Sequence, residues 1–474
     1  VTEDDLCFLP ATELAAKVAA RELSPVEVVE TVLRRIERVE PKVNAFATLA
    51  ADRAMDAARA AETAQMRGDK LGPLHGVPVT IKDLVWTKDI DTQFGSEIFR
   101  GNRPSEDSPL VTRLEEAGAI VLGKTTTSEF GWTGVSHSPL TGITHNPWKR
   151  GYNAGASSAG AGAACAAGYG PLHQGSDGAG SIRMPAHFCG VYGLKASFGR
   201  IPYYPVGVGD YTSHIGPMTR TVADAALMTR VMAGPHHLDF TTLEAPPADY
   251  PVLLRQKPAG TKPGGLKIAY SADLGHARVD PEIATMVRQA AERFTAALGV
   301  PLHDVTPEWG PRGPEMIRLF WAAHMTRLAR HLPQWAPRMD PGLVACIRAA
   351  DHVSMADYQA ARERKMEYVK DIQVFFEDWD FLITPAVSVA AFDATLLQPP
   401  HWPQHAWDWV SWAEFSYPFN MSWNPAASIP CGFTAEGLPV GLQIVGRRFD
   451  DLGVLQASAA FEEVMPWADK RPAL

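Results

Sequence analysis

Between Asn153 and Ala186 the chain reads NAGASSAGAGAACAAGYGPLHQGSDGAGSIRMPA, where eight glycines, ten alanines and four serines fill most of 34 residues. Hardly any side chain here is large enough to build a core, so the stretch is suited to close approach of its backbone. Glycine costs backbone entropy on folding, and a run this dense is kept where φ must be positive or where something must touch the main chain. Two visitors fit: another main chain, or a ligand whose developing charge is met by backbone N–H groups. Gly/Ser composition also describes flexible linkers. Against that stand Asp177, Arg183 and Cys165 inside the block, and an Ala-rich middle from Ala159 to Ala167 that suits a closely packed helix.

The remainder supplies the bulk. With 474 residues, 46% of them hydrophobic, the chain can bury a large core. Its net charge is −9 and no Lys/Arg-rich run stands out, so the basic footprint of a nucleic-acid surface is missing. The five cysteines, Cys7, Cys165, Cys189, Cys346 and Cys431, are odd in number and scattered, which argues against a disulfide framework and for a reducing compartment. The opening VTEDDLCFLP is acidic and lacks the basic and apolar regions of a signal peptide, and no uninterrupted apolar run reaches about 18 residues. A cytoplasmic location is expected.

Taken in order, residues 11 to 67 carry apolar positions at helical spacing, and Ser24-Pro25-Val26-Glu27 reads as a capping box with proline at the first helical position. GPLHGVPVTIKD then brings a short β-type run from Val77 to Ile81 closed by Lys82 and Asp83. A helix, DSPLVTRLEEAG, and a strand, AIVLG, follow. Gly118 to Thr125, GAIVLGKT, satisfies the phosphate-loop expression letter for letter. A phosphate loop needs a strand before its first glycine and a turn between its glycines. Here a helix precedes, and Ala119 to Leu122 is itself the strand, so nucleotide binding is rejected. Further strands are expected at LKIAY (266 to 270), DFLITP (380 to 385) and VGLQIVG (440 to 446). The alternation predicts an α/β chain: a single large mixed sheet with helices on both faces. The Pro-rich stretch between Gly234 and Gly265 is expected as a surface excursion. From Pro399 to Trp423, five tryptophans gather with Phe415, Tyr417 and Phe419. They form either core or the wall of a pocket for a flat or apolar ligand.

His75, His137, His145, His173 and His187 lack metal-ligand spacing, and there is no G-x-S-x-G elbow. Serine and lysine chemistry remains. Ser181 closes Gly178-Ala179-Gly180, where consecutive N–H groups can turn toward one point beside a hydroxyl. A serine attacks at neutral pH only if a base takes its proton, and a lysine kept neutral by burial can do so. Bringing a lysine pKa from about 10.4 to about 7 costs roughly 4–5 kcal/mol, which demands strong desolvation. Composition leaves open which lysine that is.

GPLHGVPVTIKD, GKTTTSEFG, NPW (Asn146 to Trp148), GASSAGAGAACAAG and GSDGAGSIRMPAHFCGVYGLKAS, in this order, resemble the amidase signature family, and PAASIPCGFTAEGLPVGLQIVG resembles its C-terminal pattern. The resemblance spans roughly residues 10 to 467. It implies a catalytic triad of Lys82, Ser157 entered through a cis peptide bond, and Ser181 as nucleophile; the family spaces its two serines as here, 24 positions apart. It also implies an acyl-enzyme, an oxyanion hole from the N–H groups of Gly178, Ala179, Gly180 and Ser181, and no cofactor or metal. Asp177 and Arg183 are expected as a structural pair and Cys165 as packing. Ser158, Trp409, Trp412 and Trp423 are expected to bind substrate. One amidase signature domain, 1–474, is expected, with a helical segment 1–69, a catalytic core 70–232, the excursion 233–265 and a pocket-forming part 266–474.

The sequence departs from the family pattern in places. Its usual glycine doublets become Gly155-Ala156, Ala159-Gly160 and Ala179-Gly180, Ser176 stands where threonine is common, and Trp423 stands where a small residue is common. The expected activity is hydrolysis of a carboxylic amide, or of an ester or carbamate, with an apolar or aryl group in the pocket. The expected partner is a small-molecule amide, with neither nucleic acid nor membrane, and a homodimer as the oligomeric option. Two alternatives are a glutaminase (A) subunit of a tRNA-dependent amidotransferase and a catalytically silent binding protein.

Overall fold

Ser24 starts the first long helix, Pro25–Val43: its Oγ accepts the N–H groups of Val26 at 3.0 Å and Glu27 at 3.4 Å. Pro25 occupies a position whose N–H would have no helical partner, so its lost donor costs nothing. Val28, Val32, Ile36 and Val39 bury one face, and the helix Ala51–Arg67 packs beside it. The computed structural model describes residues 2–207, 211–261 and 264–474.

These helices lie against an eleven-stranded mixed sheet. In chain order its strands are β1 (Phe46–Leu49), β2 (Pro78–Lys82) and β3 (Ile120–Thr125), then β6 (Leu172–Asp177), β7 (Tyr192–Lys195) and β8 (His214–Thr219), β9 (Ile268–Tyr270), β10 (Leu302–Asp304), β11 (Phe381–Pro385), β12 (Ala426–Phe433) and β13 (Pro439–Gly446). β4 (His137–Ser138) and β5 (Gly142–Ile143) pair separately. The spatial order is β1-β3-β2-β6-β8-β7-β12-β13-β11-β9-β10. β3, β2 and β6 run parallel, β6 meets β8 antiparallel, and β11, β9 and β10 are parallel again. The expected mixed sheet with flanking helices is therefore present.

The phosphate-loop look-alike resolves as expected. Residues 120 to 125 are a fully buried strand paired on both sides, preceded by the helix Pro109–Glu116. Lys124 reaches the Thr87 and Thr92 hydroxyls at 2.9 Å each, with no open loop around it. The expected strands at 266–270, 380–385 and 440–446 appear as β9, β11 and β13. β1, which interrupts the stretch expected to be helical, and β6, β7, β8, β10 and β12 were not legible, because these segments are short or, like LHQGSD, mix polar residues and glycine without alternation. Their polar groups are satisfied inside the fold: His173 Nδ1 lies 2.8 Å from Thr80 Oγ1 on the adjacent strand. In the Pro-rich excursion the helix Tyr250–Leu253 buries Tyr250, while residues 262 and 263 lie outside the described residues.

The Ala-rich helix Ala159–Ala167 is buried on every side. A Cβ added to Gly160 would stand 2.4 Å from the Thr126 backbone nitrogen, so this helix lies against the β3 loop with no room for a side chain. Close approach to main chain, one of the two roles open to the small-residue block, is realised here.

Candidate active site

β2 and β6 are parallel neighbours, so both deliver their C-terminal ends to one edge of the sheet, and there the next antiparallel partner, β8, interrupts the parallel run. Such a discontinuity leaves a crevice at the strand ends. Lys82 ends β2, Asp177 ends β6, Ser181 follows four residues later, and Ser157 sits just before the Ala-rich helix.

Lys82 is fully buried. Its Nζ lies 2.7 Å from Ser157 Oγ, 2.8 Å from Ser158 Oγ and 3.0 Å from Ser176 Oγ. Burial pushes its ammonium well below the ordinary 10.5, and the nearby Asp177 charge opposes this without reversing it. Of the buried lysines, Lys124 faces threonines and Lys195 the Asn424 carbonyl. Among the described residues Lys82 is the one whose amine meets both serines of the pair. The Ser157 N–H in turn donates to Ser181 Oγ at 3.4 Å, and the two serines are 2% and 3% exposed. The geometry thus brings together the three residues that the sequence resemblance singles out.

Asp177 and Arg183 form a buried bidentate pair, Nη2 to Oδ1 at 2.9 Å and Nε to Oδ2 at 3.0 Å. Burial alone would raise the Asp177 carboxyl, but the Arg183 charge and its hydrogen bonds hold it far below the usual carboxylate range. Arg183 also donates to the Ser416 carbonyl, Gln443 Oε1 and Asn420 Oδ1, and Asn420 Nδ2 donates to the Asp177 carbonyl. The loop before Ser181 is clamped to the helix Tyr417–Met421 and to β13. Asn420 and Gln443 were not anticipated; their sequence neighbourhood reads as core.

Four expectations need correction. The Gly180 N–H donates to Asp177 Oδ1 at 2.7 Å, so it is not free for an oxyanion; those of Gly178, Ala179 and Ser181 have no partner among the described residues. Ser158 faces Lys82 and Ser176: its hydroxyl donates to the Ser176 carbonyl at 3.0 Å, behind the serine pair instead of toward substrate. The peptide bond entering Ser157 is trans; among the described residues the cis bond is Tyr204–Pro205, a proline bond, where the cis form costs far less. Finally, the tryptophans do not wall the crevice. Trp409 and Trp412 are core: the Trp409 indole donates to the Trp132 carbonyl at 2.8 Å, and Trp412 packs on Phe188 and Phe392. Trp423 donates to the Tyr211 carbonyl at 2.9 Å and lies under the Arg448 guanidinium.

The crevice itself opens into a cavity of about 440 Å³ whose lining includes Ser157, Ser176 and Gly178. Its wall is aromatic and apolar, from Leu84, Phe94, Phe99, Phe130, Trp321 and Met325. Trp321 is the front layer and Trp409 stands behind it, ring centroids 5.3 Å apart. Sequence reasoning found the back layer because tryptophans are dense there. The front layer comes from the helix Gly313–Met325, where Trp321 and Met325 are spaced i, i+4 and look like ordinary core positions.

The altered glycine doublets are explained by the same packing. A Cβ on Gly155 would stand 2.3 Å from Pro185 Cα, and on Gly180 2.5 Å from Ser416 Oγ; both residues hold positive φ, 113° and 117°. Each doublet has kept as glycine the member whose neighbour leaves no space, and put alanine at the other.

Comparison with known proteins gives the family. The amidase family profile matches residues 27–455. The chain is 39% identical to an acylamidase of Rhodococcus erythropolis, covering 100% of this chain and 99% of that one. It is 33% identical to the A subunit of the glutamyl-tRNA(Gln) amidotransferase of Moorella thermoacetica, over 99% of each. Among solved structures it resembles a bacterial aryl acylamidase of the amidase signature family, with a TM-score of 0.89, 28% identity, and 98% and 99% of the two chains covered. The chain belongs to the amidase signature family and is an amide-hydrolysing enzyme.

Proposed function

We propose that the chain cleaves amides with an apolar or aryl group through a Ser181–Ser157–Lys82 relay and an acyl-enzyme. The observation that carries this reading is the placement of the fully buried Lys82 amine 2.7 Å from Ser157 Oγ, with the Ser157 N–H on Ser181 Oγ. The Ser158 hydroxyl spends its hydrogen on the Ser176 carbonyl, so toward Lys82 it can only accept. Ser158 and Ser176 take the two N–H groups of a neutral amine, and its lone pair is left for the Ser157 hydroxyl. Ser181 Oγ then bonds to the substrate carbonyl carbon as its proton moves to Ser157 and that of Ser157 to Lys82. The N–H groups of Gly178, Ala179 and Ser181 meet the oxyanion. Collapse breaks the C–N bond, the amine departs with the proton returned through the relay, and water removes the acyl group by the reverse path.

The test is twofold. Incubation with an aryl fluorophosphonate is expected to leave a covalent adduct on Ser181, and the purified chain alone is expected to hydrolyse an aryl amide such as an acetanilide. An unlabelled Ser181 in folded protein sinks the relay. The relationship to the glutamyl-tRNA(Gln) amidotransferases supports a glutaminase as the second reading; glutamine turnover that appears only with partner proteins would favour it. The apolar wall argues for the first.

A further inference from the structure

The aromatic wall is one end of the cavity. Beyond Trp321 the same segment continues through Met325 into a 3₁₀ stretch, Thr326–His331, and from it His324, Arg327, Arg330 and His331 also line the cavity. The chain carries 53 acidic against 44 basic residues, yet among the described residues no Asp or Glu lines this cavity. Nearby arginines are paired: Arg318 with Asp408 at 2.6 Å, Arg312 with Asp371 at 2.5 Å, Arg338 with Glu97 at 2.9 Å. Arg327 has no hydrogen bond or ion pair among the described residues, and Arg330 meets only the His331 ring, at 3.4 Å. Two exposed arginines without carboxylates, on a cavity that no described acid lines, leave a place for an anion. Arginine suits a carboxylate, which it can hold through two parallel N–H bonds.

A Cβ on Gly178 would be 3.7 Å from the Trp321 ring, so that ring borders the Ser181 loop. Arg327 lies six residues further on, beyond the end of that helix at Met325, and lines the same cavity. Phe99 stands in the same wall, its ring centroid 6.2 Å from that of His331, so an aryl ring or a short alkyl chain there meets an apolar surface beside the arginines.

We infer that the cavity selects amides carrying a carboxylate at the end remote from the scissile bond, with Arg327 binding it and Arg330 supporting it at the mouth. This rests on the proposed reading in which Ser181 is the reacting end. It narrows the substrate to an amphiphile: an apolar middle of aryl or short alkyl size, an amide at one end and an anion at the other. Cationic amides are disfavoured by the same charges.

Calorimetric titration of the purified full chain with 4-phenylbutanoate and with neutral 4-phenylbutan-1-ol tests the inference without requiring turnover. The carboxylate is expected to bind at least about tenfold more tightly at low salt. That preference should vanish in Arg327→Met and survive in part in Arg327→Lys. Equal binding, tighter binding of the alcohol, no binding of either, or a preference unchanged in Arg327→Met overturns it. Fluorophosphonate labelling of the same preparation separates the two readings: a labelled Ser181 without carboxylate preference sinks only this inference, and a preference without labelling sinks the relay and, with it, the selection of amides, while the anion site stands.

Discussion

Lys82 is placed where an ammonium is poorly solvated and an amine is well used. Replacing it by methionine preserves the apolar stem and removes the base; kcat on an aryl amide should fall by roughly 10²–10⁴-fold while the thermal melting midpoint stays within a few degrees. The pH dependence has a defined sign. The relay needs the neutral amine, so kcat/KM should rise with pH through the folded pKa of Lys82, which lies below 10.5. The same depression makes the unfolded chain bind one more proton between that value and 10.5, so this group's contribution to stability increases with pH across the window. A pH–rate profile that falls from acid to neutral would contradict this. Arg183 acts differently, because its removal leaves the Asp177 carboxylate buried and unpaired: Arg183→Met should cost roughly 3–5 kcal/mol of stability, read from the denaturant midpoint.

At the level of elements, the small-residue helix and its flanking loops show two effects in competition. Alanine is favoured over glycine inside a helix by about 1 kcal/mol, so Gly160→Ala would stabilise an isolated Ala159–Ala167 segment. In the protein its new methyl would lie 2.4 Å from the Thr126 nitrogen, a backbone atom that cannot swing aside. Overpacking of this kind costs about 1–3 kcal/mol, so Gly160→Ala should be a net destabilisation by thermal melt. Ala156→Gly and Ala179→Gly, at the tolerant members of their doublets, should be mild by comparison. The sequence made the density of glycine visible; it did not distinguish the glycines that touch backbone from those that do not, since the colliding atoms, Pro185, Thr126 and Ser416, come from other segments.

Across the whole molecule, the aromatic residues divide into two layers with different jobs. Trp412 is fully buried against Phe188 and Phe392, so Trp412→Ala should lower stability by roughly 3–5 kcal/mol with KM little changed in whatever folds. Phe99 stands in the cavity wall, so Phe99→Ala should raise KM for aryl amides and leave the melting midpoint nearly unchanged. An inverse result would return the Trp-rich segment to the pocket.

How much was legible follows from the range of each interaction. The order of motifs fixed the family, and with it the residue types of the proposed relay; periodicity showed the helix Pro25–Val43 and the strands β2, β3, β9, β11 and β13. These properties depend on neighbours within a few positions. The directions of the Gly180 N–H and the Ser158 hydroxyl, the trans bond entering Ser157, and the choice of Trp321 over Trp409 as cavity wall depend on atoms far apart in the chain. Sequence alone determined that a lysine and two serines were available for one chemistry. Only the tertiary structure decided that the lysine the motifs point to lost its water beside those serines, because desolvation is produced by everything packed around a group and by nothing beside it in the chain.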